Sequence, residues 1–146
     1  MREIGLFKGF NENPNGKQLI TLDGVDIRGD WICGGYWFSE GRHWIAVDDR
    51  TKTNEIGSGS NCVLFKTVCE YIGLTDKNEN RIWENDKLFY QEGCFDRHEF
   101  IVKYDETGFV GECFPKNKNF ISNIISIHHA FDFEVIGDIF NTRSVE

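Results

Sequence analysis

A mainly β fold of antiparallel strands is the class this sequence predicts, and two observations predict it. The chain has 13 Phe and four Trp against one Met and two Pro, and many of these aromatics sit in short runs bounded by Gly, Asn and Asp. Aromatic residues suit the pleated, half-buried surface of a strand, and the bounding residues suit turns. The run from Tyr71 to Tyr90 repeats this grammar within one segment. Apolar Tyr71, Ile72 and Leu74, then Ile82 and Trp83, then Leu88 and Phe89 bracket two polar stretches, Thr75 to Arg81 and Glu84 to Lys87, whose composition suits turns.

In chain order, Glu3 to Phe10 reads as a strand. The turn Asn11-Glu12-Asn13-Pro14-Asn15-Gly16 follows, and its Asn-Gly pair tolerates positive φ, so a hairpin is expected there. Leu19 to Leu22, Trp31 to Phe38 and His43 to Val47 are apolar-aromatic runs separated by Asp23-Gly24, Arg28-Gly29-Asp30 and Ser39-Glu40-Gly41, the pattern of a meander. Gly34-Gly35 predicts a bulge or a close backbone approach. Further strands are expected at Val68 to Ile72, Ile82 to Tyr90, Phe100 to Tyr104, Phe109 to Phe114 and Glu134 to Phe140, with a tight hairpin at Asp105-Glu106-Thr107-Gly108.

Two stretches read both ways. Across Asn117 to Phe131, the residues Phe120, Ile121, Ile124, Ile125, His128 and Phe131 fit helical spacing, whereas β-branched Ile favours strand; a short helix packed on the sheet is preferred. In Val63 to Ile72, Leu64, Val68, Tyr71 and Ile72 could line a helical face; strand is assigned from Val68 onward and the start stays open. At most one or two short helices are therefore expected.

Thr51 to Asn61 alone has linker composition, which divides the chain into an N-terminal β subdomain, 1–50, a linker, 51–61, and a C-terminal β subdomain, 62–146. One core shared by both halves is the alternative. At 146 residues the chain is long enough to bury most of its apolar surface without a staple. Five dispersed cysteines, Cys33, Cys62, Cys69, Cys94 and Cys113, form no C-x-x-C pair, and their odd number argues for a reducing, cytoplasmic setting. The formal charge of -8 disfavours direct binding to DNA or RNA. No window has the apolar length of a signal peptide or a membrane span, so no membrane role is expected.

The order of motifs resembles the YopX family of proteins encoded by phages and prophages. Arg2-Glu3-Ile4 with Lys8-Gly9, Gly29-Asp30-Trp31-Ile32 with Gly34-Gly35-Tyr36, and Tyr71-Ile72-Gly73-Leu74-Thr75-Asp76-Lys77-Asn78 come first. Ile82-Trp83-Glu84-Asn85-Asp86, Val102-Lys103-Tyr104 and Glu134-Val135-Ile136-Gly137-Asp138-Ile139-Phe140 follow. The fold signature thus comprises Tyr71, Gly73, Leu74, Asp76, Asn78, Ile82, Trp83, Glu84, Asp86, Val135, Ile136 and Gly137. Glu79 and Asn85 stand where the family pattern usually has Gly. Asn85 can keep a left-handed backbone, whereas Glu79 does so at a cost, so the first turn is expected to move its positive φ to Asn78 or Asn80. The resemblance implies a mostly β fold with an SH3-like barrel in the second half, and a phage or prophage origin. It implies no activity and no catalytic residues.

The residues themselves give no catalytic set, no cofactor site and no metal site. Adjacent His128-His129 point about 100 degrees apart on a helix and cannot chelate one ion as an i, i+4 pair would; His43, His98 and the cysteines show no ligand spacing. Cys94 and His98 would be about 13 Å apart along a strand, so the thiols default to small buried hydrophobes. Asp48-Asp49, Glu84 with Asp86, and Asp132 with Glu134 read as turn carboxylates, with Asp86 expected to accept turn amides. Gly57-Ser58-Gly59-Ser60 lacks the Gly-Lys-Ser/Thr of a phosphate loop.

Aromatic residues remain in surplus. Trp31, Tyr36, Trp37, Phe38 and Trp44 either fill a core or, through strand alternation, leave Trp31, Tyr36, Trp37 and Trp44 as a possible interaction surface. The expected function is that of a non-enzymatic accessory protein acting by association with a host or phage protein or with itself, as a homo-oligomer. Two alternatives stand beside it: an acidic mimic of nucleic acid that binds a DNA-handling protein, and an enzyme with an unrecognised carboxylate or Cys-His site.

Overall fold

The computed structural model describes residues 5–47, 60–92, 96–106, 108–113, 124–126 and 133–145. They form antiparallel strands and one 3-10 turn: β1 Phe7–Glu12, β2 Gln18–Leu22, β3 Val25–Ser39, β4 Arg42–Val47, β5 Ser60–Val63, the 3-10 turn Phe65–Thr67, β6 Cys69–Thr75 and β7 Arg81–Trp83. After them come β8 Asp86–Glu92, β9 Asp96–Asp105, β10 Gly108–Cys113, β11 Ile124–Ser126, β12 Glu134–Asp138 and β13 Arg143–Ser144. The mainly β, antiparallel class is the one the sequence predicts.

Two compact units divide the chain: Glu3–Glu70 with Phe140–Glu146, and Tyr71–Ile139. This partition differs from the boundaries read at 51–61. Ser60 and Asn61, placed in the linker by composition, lie in β5, and the division falls within β6.

In the unit of residues 3–70 and 140–146, the fifteen-residue β3 is the organising strand. Its first part pairs with β2, its last part with β4, and β1 runs along its other edge from Phe7↔Gly34 to Glu12↔Gly29. β4 continues to β5. β5 then returns towards β1, because the Leu64 N–H donates to Phe10 O at 3.0 Å and Asn11 Nδ2 to Cys62 O at 2.7 Å. Ile32 of β3, Ile45 of β4 and Val63 of β5 form a buried cluster, with Phe7, Tyr36 and Val68 against it.

The two-residue turns at Asp23-Gly24 (φ 51° and 79°) and Glu40-Gly41 (φ 54° and 74°) are left-handed at both positions, as tight hairpins require. Two local expectations are corrected here. No hairpin forms at Asn11 to Gly16, since β1 and β2 both pair with β3 rather than with each other. Gly16 is needed for space: a Cβ there would lie 2.4 Å from the Gly29 backbone. Arg28-Gly29-Asp30 is interior strand, and a Cβ on Gly29 would stand 2.0 Å from Asn11 O. At Gly34 the close-approach alternative holds, a Cβ there lying 1.8 Å from Ala46 O, while the β3–β4 register runs without a bulge.

In the unit of residues 71–139, β11, β10, β9, β8 and β12 form a five-stranded sheet, and β6 pairs with β7. The core is Ile72, Ile82, Leu88, Phe100, Val102 and Phe133. The hairpin at Asp105 to Gly108 is present. Within 117–131 the described residues Ile124–Ser126 are strand β11, paired with Val110 to Glu112 of β10, and not helix. The β propensity of consecutive Ile outweighs the helical spacing once a sheet edge accepts their backbone. The other residues of that stretch lie outside the described ones, as do His128-His129, Cys94, Asp48-Asp49, Asp132 and Gly57 to Gly59.

Candidate functional site

The signature residues build a hydrogen-bonded knot. Asp76 is 3% exposed. Its Oδ1 accepts the N–H groups of Asn78 (2.9 Å) and Asn80 (2.8 Å), and its Oδ2 accepts the N–H of Val135 (2.9 Å), 59 residues away. Lys77 N–H donates to Phe133 O at 3.0 Å beside it. Burial pushes the Asp76 carboxyl up, but the N–H donors of Val135, Asn80 and Asn78 together outweigh it, and the group is held below the ordinary aspartate range.

The knot also explains Glu79. With Asp76 gripping the backbone on both sides and Glu79 N–H donating to Asp76 O at 3.0 Å, Glu79 itself takes φ 67°. The expected shift to Asn78 or Asn80 does not occur, because both N–H groups are already committed to the carboxylate. Asn85 keeps its turn at φ 72° as expected, and Asp86, 3% exposed, accepts the Trp83 N–H at 2.8 Å. Tyr71 pairs across β6–β7 with Trp83 and its ring meets that of Trp83 at a 48° tilt, centroids 5.5 Å apart. Ile82 is fully buried in the core and Leu74 packs against it. Gly73 takes φ 88° where the ladder shifts register. Glu84 is half-buried in the turn. Ile136 is the extra residue where β12 bulges against β8, between Val135 and Gly137, and stays 46% exposed. The carboxylates of Asp76 and Asp86 are both taken up by backbone N–H groups.

The aromatic residues are arranged in the opposite sense. The register of β3 against β4 puts Trp31, Trp37 and Trp44 on one face and Tyr36, Phe38 and His43 on the other. Trp31 is taken up internally: Phe10 meets it at 5.3 Å, Phe140 at 5.6 Å, Lys8 Nζ lies 4.5 Å over its ring, and its Nε1 donates to Thr142 Oγ1. Trp37, 42% exposed, stacks on half-buried Trp44 at 5.7 Å.

On the other face, Tyr36 packs on Phe7 and its hydroxyl hydrogen-bonds His43 Nδ1. His43 touches Phe38 at 4.9 Å and Phe65 at 4.4 Å. Phe38 is 60% and Phe65 64% exposed. Phe65 is outside because of Thr67, whose buried hydroxyl accepts Phe10 N–H at 2.9 Å and donates to Leu64 O at 2.6 Å, pinning the 3-10 turn. Sequence reading omitted Phe38, His43 and Phe65 from the surface; only the return of β5 to β1 brings residue 65 beside residue 43.

Of the described thiols, Cys69 is buried, Cys33 is half-buried and Cys62 is exposed. The buried default is thus wrong for Cys62, whose side chain lies on the Trp44 face of a short edge strand. Among the described residues no three His, Cys, Asp or Glu side chains cluster to hold a metal ion, and no helix is long and apolar enough to cross a membrane.

The family model described as YopX protein matches residues 31–144. The chain belongs to the YopX family. The match spans β3 to β13 and includes both halves of the Asp76 knot, so a hydrogen bond that joins two distant signature motifs lies within the family's own extent. It begins at Trp31, leaving Arg2 to Gly9 outside. No curated protein and no solved structure matches the chain.

Proposed function

We propose that this YopX protein is a non-enzymatic accessory protein of phage or prophage origin that works in the host cytoplasm by protein association, through the distal end of the β3–β4 hairpin. The observation that carries the reading is the exposure of Phe38 and Phe65 on one face of the hairpin's distal end, and of Trp37 on the other, beyond a fully buried Ile45. Exposed aromatics that lie together, as Phe38 and Phe65 do about His43, mark association surfaces more than scattered apolar residues do. Self-association and association with a different protein both use such a surface.

The test pairs light scattering of the purified chain over a concentration range with capture from lysate, each repeated for Trp37→Ser and for Phe38→Ser. Association that weakens in either variant supports the reading. A monomer that captures nothing, or capture indifferent to both variants, contradicts it.

A further inference from the structure

Two aromatic sites of this chain are already capped by its own cations: Lys8 Nζ lies 4.5 Å from the Trp31 ring centroid, and the Arg81 guanidinium 5.6 Å from that of Tyr71. The shelf formed by Phe38, His43 and Phe65 has no such cap among the described residues. The basic side chains adjacent to it in sequence, Lys66 and Arg42, are otherwise engaged or turned away. Lys66, next to Phe65, is paired with Asp23 at 2.7 Å, and the register places Arg42 on the opposite face, with Trp44.

We infer that the Phe38–His43–Phe65 shelf receives an arginine or lysine side chain from a basic segment of a partner protein. The inference rests on the association reading above and names the chemistry of the partner. Ring faces carry negative potential and attract a cation within about 6 Å of the centroid. The His43 ring centroid lies 4.9 Å from that of Phe38 and 4.4 Å from that of Phe65, tilted by 50° and 36°, and Phe38 and Phe65 stay 60% and 64% exposed, so ring surface is open to a planar guanidinium. The formal charge of -8 adds a long-range attraction for basic chains and repels acidic ones. An uncharged apolar partner would gain from the ring area but nothing from that field, so charge complementarity selects the basic occupant.

The experiment is an NMR titration of the isotopically labelled full chain with two blocked hexapeptides, one of arginine and one of alternating leucine and serine, at low and physiological salt. The expected result is saturable movement of the Phe38, His43 and Phe65 ring signals with the arginine peptide only. Phe38→Leu and Phe65→Leu keep the apolar bulk and remove the π face, and each should weaken binding tenfold or more while backbone signals elsewhere keep their positions. Equal shifts from the leucine-serine peptide would overturn the cation assignment and leave the association reading standing. Shifts spread over the acidic surface and unchanged in the leucine variants would overturn it as mere charge screening. Ring signals that move with protein concentration alone would assign the shelf to a second copy instead. Failure of every peptide, together with capture indifferent to Phe38→Ser, would remove both readings.

Discussion

The Asp76 turn and the tip of the β3–β4 hairpin invert the usual arrangement of polar and apolar residues. At the turn a carboxylate is 3% exposed and accepts backbone N–H groups from both sides of the unit's sheet connections. At the tip, Phe38 stands 60% exposed. A buried carboxylate persists only where its hydrogen bonds are complete, so Asp76 belongs to folding. An exposed aromatic group contributes little to folding, and this is what makes the hairpin tip the candidate surface.

The largest effect should come from breaking the turn. Asp76→Ala leaves the N–H groups of Asn78, Asn80 and Val135 without their acceptor, and chemical denaturation should show a loss of about 3–5 kcal/mol. The same carboxyl makes stability depend on pH. Its folded-state pKa lies below the unfolded value, so its contribution is complete above the ordinary aspartate range and is lost as pH falls through the lowered folded value. Denaturation midpoints of the wild type should therefore drop on acidification. In Asp76→Asn that component of the drop should be missing.

A smaller effect separates the base of the hairpin from its tip. Gly34→Ala drives a methyl group against Ala46 O and should cost about 1–3 kcal/mol. Smaller again, and opposite in sign, is Glu79→Gly. It relieves a left-handed backbone at φ 67° and should gain up to about 1 kcal/mol, the relief being partly offset by the greater freedom of glycine in the unfolded chain. Phe38→Ser and Phe65→Ser should change stability least, within about 0.5 kcal/mol. A large loss at either would mean that the rings serve the core.

What was legible in the sequence was local. Strand alternation and the turn pairs Asp23-Gly24 and Glu40-Gly41 are written in adjacent residues, and the structure follows them. Gly16 and Gly29 misled because their cause lies elsewhere. Each is small to admit the backbone of another segment, Gly29 that of Asn11, so a glycine that looks like a turn is a contact. Glu79 misled for the same kind of reason, since its φ is dictated by a carboxylate three residues back that is itself tied to Val135. The partition within β6 was invisible because composition marks linkers, whereas a strand that serves two units has ordinary strand composition. Of the candidate surface, Trp37 alone was read from the sequence; Phe38 was not, because alternation that exposes Trp37 turns its neighbour to the other face, and Phe65 was not, because its position depends on the return of β5 to β1.

The most direct test of the account is quantitative mass spectrometry of the proteins captured from lysate by the wild type and by the F38S/F65S double variant, used at matched concentration and after both give the same melting temperature. The account predicts that specific capture collapses in the variant although the fold persists. Retention of the same captured proteins in the same amounts would contradict it.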